Sequence, residues 1–231
     1  MTLWARLTWQ VEDVAALAAG LERRLDVPSV PGGLVPGARL VDLGSAWLEL
    51  RPWVREGPDD HPRPAGRLML EPVEGGESPP ATGAAIVMAL AGFGWATVDL
   101  DRSERELSPW LGPRAGGEVA DGHLGARVRL HRGLALPGEW SILLEPEREG
   151  RAAASLARDG EGPCAVYLRP VAGLDAWLGR AHQRDVRTGV VRGGPLGRQV
   201  LAPGPPAGPH VIVTEGRSPV SPGRDAGTIG P

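Results

Sequence analysis

Lysine is missing altogether: all 25 basic side chains of this 231-residue chain are arginine. A phosphate-cradling P-loop lysine, a Schiff-base lysine and a lysine general base are excluded together. Cysteine is nearly missing as well. Cys164 stands alone, which rules out an internal disulfide framework and any multi-cysteine zinc site, and it suits a reducing cytoplasm, where the protein is expected to reside. Surplus charge is missing too. A formal net charge of −3 leaves no basic footprint, so nucleic acid is not expected as a partner. The chain does not open on basic residues followed by an apolar core, so no signal peptide is expected. Residues 78–98 carry no charge, but Pro79, Pro80, Gly83, Gly92 and Gly94 interrupt them. A short buried helix over 84–91 feeding a strand is therefore expected instead of a membrane span, and no membrane partner.

What the chain has in quantity is punctuation. Its 34 glycines and 24 prolines separate short apolar runs, and three stretches repeat one order of elements. In 163–215, the run Cys164, Ala165, Val166, Tyr167, Leu168 reads as a buried strand. Val171, Leu174, Trp177, Leu178 and Ala181 then form a helical stripe over 171–184, before strands at 196–201 and 210–214. In 3–53, a strand over 3–11 precedes a helix over 13–25. Asp13 caps that helix, Val14, Leu17, Ala18, Leu21 and Leu25 line it, and strands over 39–43 and 46–52 follow. In 93–146, a strand over 95–98 leads into a helix capped by Asp101 or Ser103 and limited by Pro109 and Pro113 to about two turns, then strands at 126–131 and 139–145. Residues 67–73 offer one more strand, and 146–160 a linker or short helix. The fold class predicted is α+β: repeated βαββ(β) modules forming cupped mixed sheets with helices on the outer faces. The modules span 1–75, 76–150 and 151–215, and a disordered tail covers 216–231.

Strand parity sorts the side chains by face. Arg6, Thr8 and Gln10 share one face of the first strand, Leu7, Trp9 and Val11 the other. By the same rule Trp47, Glu49 and Arg51 face away from Leu48 and Leu50, and Arg127, Arg129 and His131 away from Val128 and Leu130. Ser141, Leu143 and Glu145 share a face. If the polar faces converge, four arginines oppose Glu49 and Glu145, and a guanidinium fork suits carboxylate or phosphate. His131 has the intrinsic pKa of a general base but also the pattern of an exposed strand histidine. His123 and His61 lie in loops. Cys164 reads as a buried strand residue. Trp9, Trp110 and Trp177 fit helix–sheet packing, while Trp47, on the polar face, is the candidate for stacking on a ligand.

The phrases LTWQVEDVAALAAGLERRL with GSAWLELRPW, GFGWATVDLDR, and GLDAWLGRAHQRDVRTGVVRGGPLGRQVLAPGPPAGPHVIVTE resemble the vicinal oxygen chelate superfamily, within it uncharacterised glyoxalase-like domain proteins. The resemblance implies paired βαβββ modules curled around a cavity. There a divalent metal is held by a histidine near the first strand and a glutamate on the last strand of each module. Arg6 stands at the first-strand position, where it cannot ligate a cation. Glu49 matches the last-strand glutamate, Glu145 lies near its counterpart, and the third unit offers Cys164 or Val166 with about Ile212. No metal and no cofactor is expected at this site, and no catalytic residue can be assigned. The resemblance leaves three functions open: a metal-free protein binding a small, anionic molecule, a metal-dependent lyase, isomerase or dioxygenase, and a degenerate partner-binding module. It also leaves a homodimer open. The ligand-lining set expected is Arg6, Thr8, Gln10, Trp47, Glu49, Arg51, Arg127, Arg129, His131 and Glu145.

Overall fold

Asp13 opens the first helix as its place in the sequence requires. Its carboxylate accepts the backbone N–H of Ala16 at 2.8 Å, satisfying one of the donors that a helix start leaves over. The structure is a computed structural model that describes residues 4–33, 35–44, 46–53, 66–73, 86–133, 138–204 and 208–216. In it β1 (Trp4–Val11), α1 (Val14–Leu25), β2 (Ser29–Pro31), β3 (Arg39–Asp42), β4 (Trp47–Pro52) and β5 (Leu68–Val73) build a five-stranded sheet in the order β2-β3-β4-β1-β5.

The order recurs twice. First come β6 (Met88–Ala96), α2 (Leu100–Glu106), β7 (Leu111–Arg114), β8 (Val119–Asp121), β9 (Ala126–Gly133) and β10 (Trp140–Pro146). After α3 (Arg151–Asp159) come β11 (Gly162–Pro170), α4 (Leu174–Gln183), β12 (Arg192–Gly194), β13 (Gly197–Ala202) and β14 (His210–Thr214). These last two stretches share one nine-stranded sheet, ordered β12-β13-β14-β11-β6-β10-β9-β7 with β8 on β9. In all three stretches the first strand runs parallel to a later strand of the same stretch: β1 with β4, β6 with β10, β11 with β14. The architecture is α+β, with mixed, curled sheets.

Burial explains the layering. Leu7, Trp9, Leu48 and Leu50 of the first sheet share one core with Leu21 and Leu25 of α1, with Val166, Leu168, Val211 and Val213 of the second sheet, and with Trp177 of α4. The opposite face of the second sheet carries its own core, Val128, Leu130, Trp140, Ile142, Leu144, Tyr167 and Ile212, closed by Leu124, Ala152 and Leu196. Arg184 and Arg180 of the α4 end reach Asp26 at 2.7 and 3.7 Å, tying α4 to the α1 C-cap.

Several expectations change. Residues 88–91, expected in a helix, belong to β6. Gly92 and Gly94 let that strand pack closely: a Cβ at Gly92 would lie 2.4 Å from the Trp140 carbonyl oxygen, and one at Gly94 2.6 Å from a Leu144 methyl. The fourth helix starts at Leu174, after Gly173 at φ 88°, so Val171 is exposed. Trp110 is exposed too, and does not pack a helix on a sheet. Residues 151–159 form a helix that buries Ala152 and Ser155. Among the described residues no helix is long and apolar enough to cross a membrane. The expected tail from 217 onward, residues 78–85 and His61 lie outside the described residues.

Candidate functional site

Four of the expected residues come together on the face of the first sheet turned away from α1. Register places Thr8 beside Glu49 and Gln10 beside Arg51 across β1 and β4, and Arg6 beside Glu71 across β1 and β5. Glu49 is fully buried, and its Oε2 accepts Arg6 Nη1 at 3.1 Å and Arg51 Nη2 at 3.3 Å. Arg51 grips Glu71 as well, Nη1 to Oε1 at 3.1 Å and Nη2 to Oε2 at 2.9 Å, and Thr8 Oγ1 donates to the same Glu71 Oε2 at 3.2 Å. Burial pulls the Arg51 guanidinium down, but Glu49 and Glu71 outweigh it and raise it above the ordinary arginine value. Trp47 and Gln10 are half-buried on the same face. Gly33 closes over Glu49: a Cβ there would sit 2.5 Å from Glu49 Oε1. Glu71 was not among the residues expected here. Its signal was present, since parity within 67–73 puts Met69 and Glu71 together, but no alternating apolar run announces that strand.

Arg127, Arg129, His131 and Glu145 are a correction. They share a face as parity requires, but it is the face of the second sheet covered by α2, where Leu100 packs on Leu143, and not one shared with Glu49. Arg129 is buried against Glu104, Asp101 and Glu118 at 2.8, 2.6 and 2.7 Å. Arg127 reaches Glu145 at 2.6 Å, and Glu145 also accepts the backbone N–H of Leu100 at the start of α2. The expected excess of positive charge is absent from both clusters: carboxylates of α2 and its neighbours neutralise one, and Glu71 neutralises the other. Arg129 thus pairs with carboxylates of α2 and with Glu118, and Arg127 with Glu118 and Glu145.

A third polar cluster escaped the sequence reading. Asp121, almost fully buried, accepts the backbone N–H groups of His123 and Leu124 at 2.9 and 3.1 Å, the Tyr167 hydroxyl at 2.9 Å and Gln199 Nε2 at 3.1 Å. His123 Nε2 lies 3.1 Å from the Gln199 carbonyl oxygen. These residues come from β8, the loop after it, β11 and β13, and only tertiary pairing brings them together. Cys164 is buried as expected, and burial pushes its thiol up to about 12, so it is no nucleophile at neutral pH.

Two histidines carry a pH dependence. His131 Nδ1 lies 3.2 Å from the Gly112 carbonyl oxygen, and His210 Nε2 lies 3.1 Å from Ser155 Oγ. Burial lowers both below the ordinary imidazole value. In acid the unfolded chain therefore takes up protons that the folded chain refuses. Their contribution to stability is present above about pH 6.5 and is lost as the pH falls below it. Urea midpoints at about pH 7.5 and about pH 5.5 are expected to drop for the wild type and to drop less for His131→Gln and His210→Gln. An equal drop in all three would remove these histidines from the account.

Among the described residues, the side chains around Glu49 do not fit a divalent cation. Two guanidiniums already converge on its buried oxygen, and their charge repels a second cation. Among the described residues the neighbouring side chains are the Thr8 hydroxyl and the Glu71 carboxylate, and no imidazole, which supplies much of the affinity for transition metals, stands with them. Among the described residues no group of three histidine, cysteine or acidic side chains could hold a metal ion.

No protein-family model matches the chain, and no curated protein matches it. Solved structures do. 4-Hydroxymandelate synthase from Streptomyces coelicolor aligns over 92% of this chain and 91% of its own, with a TM-score of 0.58 and 13% identity. Methylmalonyl-CoA epimerase from the same organism aligns over 55% of this chain and 98% of its own, at TM-score 0.45 and 22% identity. The Mycobacterium tuberculosis epimerase aligns over 58% and 89%, at TM-score 0.45 and 25% identity. The near-complete alignment with the synthase speaks for the fold.

Proposed function

We propose, taking as premise that the chain has the fold of the vicinal oxygen chelate superfamily, that it binds a small anionic molecule on the polar face of the first sheet without a metal ion. The observation that carries this is the place of Arg6. Its guanidinium lies against the buried Glu49 carboxylate, at the first-strand position where the resemblance implies a metal ligand, and of its five N–H donors only one at Nη1 is engaged among the described residues. A fixed cation with open donors in a partly desolvated place attracts the oxygens that a metal would otherwise bind. Trp47, half-buried on the same face, supplies a ring for the apolar part of such a molecule.

Losing a charge-assisted contact of this kind costs about 2–5 kcal/mol, so Arg6→Ala is expected to weaken binding by at least about thirtyfold, with Arg6→Lys recovering part of it. Melting shifts with small carboxylates, phosphates and cationic glycopeptides provide the screen, and titration of the best anion provides the affinities. If only cations stabilise the wild type, or if Arg6→Ala binds the best anion unchanged, this reading is wrong.

A further inference from the structure

The polar face contains a carboxylate-binding position that the chain fills with its own side chain. Arg51 Nη1, Arg51 Nη2 and Thr8 Oγ1 converge on the Glu71 carboxylate at 3.1, 2.9 and 3.2 Å. A planar guanidinium fork with a hydroxyl beside it is complementary to a flat, two-oxygen anion. The three donors belong to the deep part of the face. Thr8 is fully buried and the Arg51 side chain is 15% exposed, whereas the Glu71 side chain is 31% exposed and sits on β5, the edge strand of its sheet. Glu49 differs. It is held at 0% exposure between both arginines.

The geometry points to Glu71 as a built-in competitor: a ligand carboxylate displaces it from Arg51 and Thr8, so the anion that the first sheet takes is a carboxylate. This rests on the reading of that face as the ligand site. Charge supports the exchange. Among the described residues, with Glu71 in place, Arg6 and Arg51 are balanced by Glu49 and Glu71. With Glu71 turned out to solvent one positive charge is left over, and a single carboxylate restores neutrality. Both guanidiniums touch Glu49 Oε2, so a carboxylate entering on Arg51 also comes close to the open donors of Arg6. No covalent step is involved. The exchange trades one charge-assisted pair for another, and the ligand's affinity is reduced by the fraction of molecules in which Glu71 is home.

The test uses benzoate, with benzamide as a neutral control of similar shape, on the full chain by titration calorimetry. Glu71→Gln keeps the size of the side chain and removes the competing charge, and Glu71→Ala removes the competitor outright. Benzoate affinity is expected to rise from wild type through Glu71→Gln to Glu71→Ala, by at least about tenfold overall, with benzamide unchanged. Adding Thr8→Val to the Glu71→Gln protein is expected to reverse part of the gain. If wild type binds benzoate and neither variant binds it more tightly, the competitor role falls and the ligand-site reading stands. If wild type binds a phosphate in an Arg6-dependent way while no variant binds benzoate, the carboxylate assignment falls alone. If no anion binds any of the three proteins, both fall. Should the alanine variant fail to fold, as judged by its far-ultraviolet circular dichroism, the isosteric glutamine variant still decides the matter.

Discussion

Asp121→Ala is expected to lower stability by about 3–5 kcal/mol, the range reached when a buried charged hydrogen-bond partner is removed and its neighbours are stranded. The carboxylate is 1% exposed, and its two oxygens serve four donors. Oδ1 accepts the N–H groups of His123 and Leu124, and Oδ2 accepts Tyr167 and Gln199. Alanine leaves all four without that acceptor, beside the apolar core to which Tyr167 belongs. The Tyr167 phenol cannot compensate by ionising: burial, and then Asp121 itself, hold its pKa well above the ordinary value. Tyr167→Phe removes one donor to a carboxylate and is expected to cost about 1.5–3 kcal/mol. Urea denaturation measures both. An Asp121→Ala loss within about 1 kcal/mol of wild type would show that the network is not what joins β8 to β11 and β13.

Trp9→Ala is expected to cost about 3–5 kcal/mol, and Trp9→Phe much less. The indole is fully buried between α1 and the second sheet. It borders an apolar pocket with Leu21, Leu25, Val41, Leu48, Val166 and Val211. Truncation enlarges that void, and the β1–β4 pairing beside it limits how far the walls can collapse. Among the described residues its Nε1 finds no hydrogen-bond partner. Phenylalanine keeps a ring in the same place and removes an unpartnered polar group, so part of the lost area is offset. Equal losses for the two variants would mean that the N–H finds a partner, such as a buried water.

Much of the fold was legible because each stretch announces itself locally. Asp13 and the Val14, Ala18, Leu21, Leu25 stripe specify α1 nearly to the residue, and β4, β10, β11 and β14 are short apolar runs bounded by glycine or proline. Parity sorted the faces correctly even where their use was misread. Alternation says that Arg127, Arg129 and His131 lie together, but whether that face meets a helix or a cavity depends on the packing of α2. That helix is short, and Pro109 and Pro113 blurred its reach. The site was legible by half. Arg6, Thr8, Glu49 and Arg51 lie on strongly patterned strands, whereas Glu71 lies on a strand bordered by polar, proline-rich sequence. Asp121, Tyr167 and Gln199 are 46 and 78 positions apart in the pairs they form, and no local pattern could join them. Trp110 was taken for core on residue type alone, and hydrophobicity without periodicity did not decide its place.

The strand beside β1 has a consequence for assembly. In the second sheet β6 lies antiparallel to β11, so the opening strand of each stretch covers the edge of the other. Among the described residues the first stretch has no such sister, and β5, drawn from the same stretch, lies antiparallel to β1 in the corresponding place. An opening strand left bare along its length would be a template for end-to-end growth with other copies. Here β5 turns that strand inward. Pro72, with no N–H to offer, sits on the new border, where proline is tolerated and further pairing is discouraged. Among the described residues the opening strand of the first stretch is thus flanked by β4 and β5 and offers no free edge.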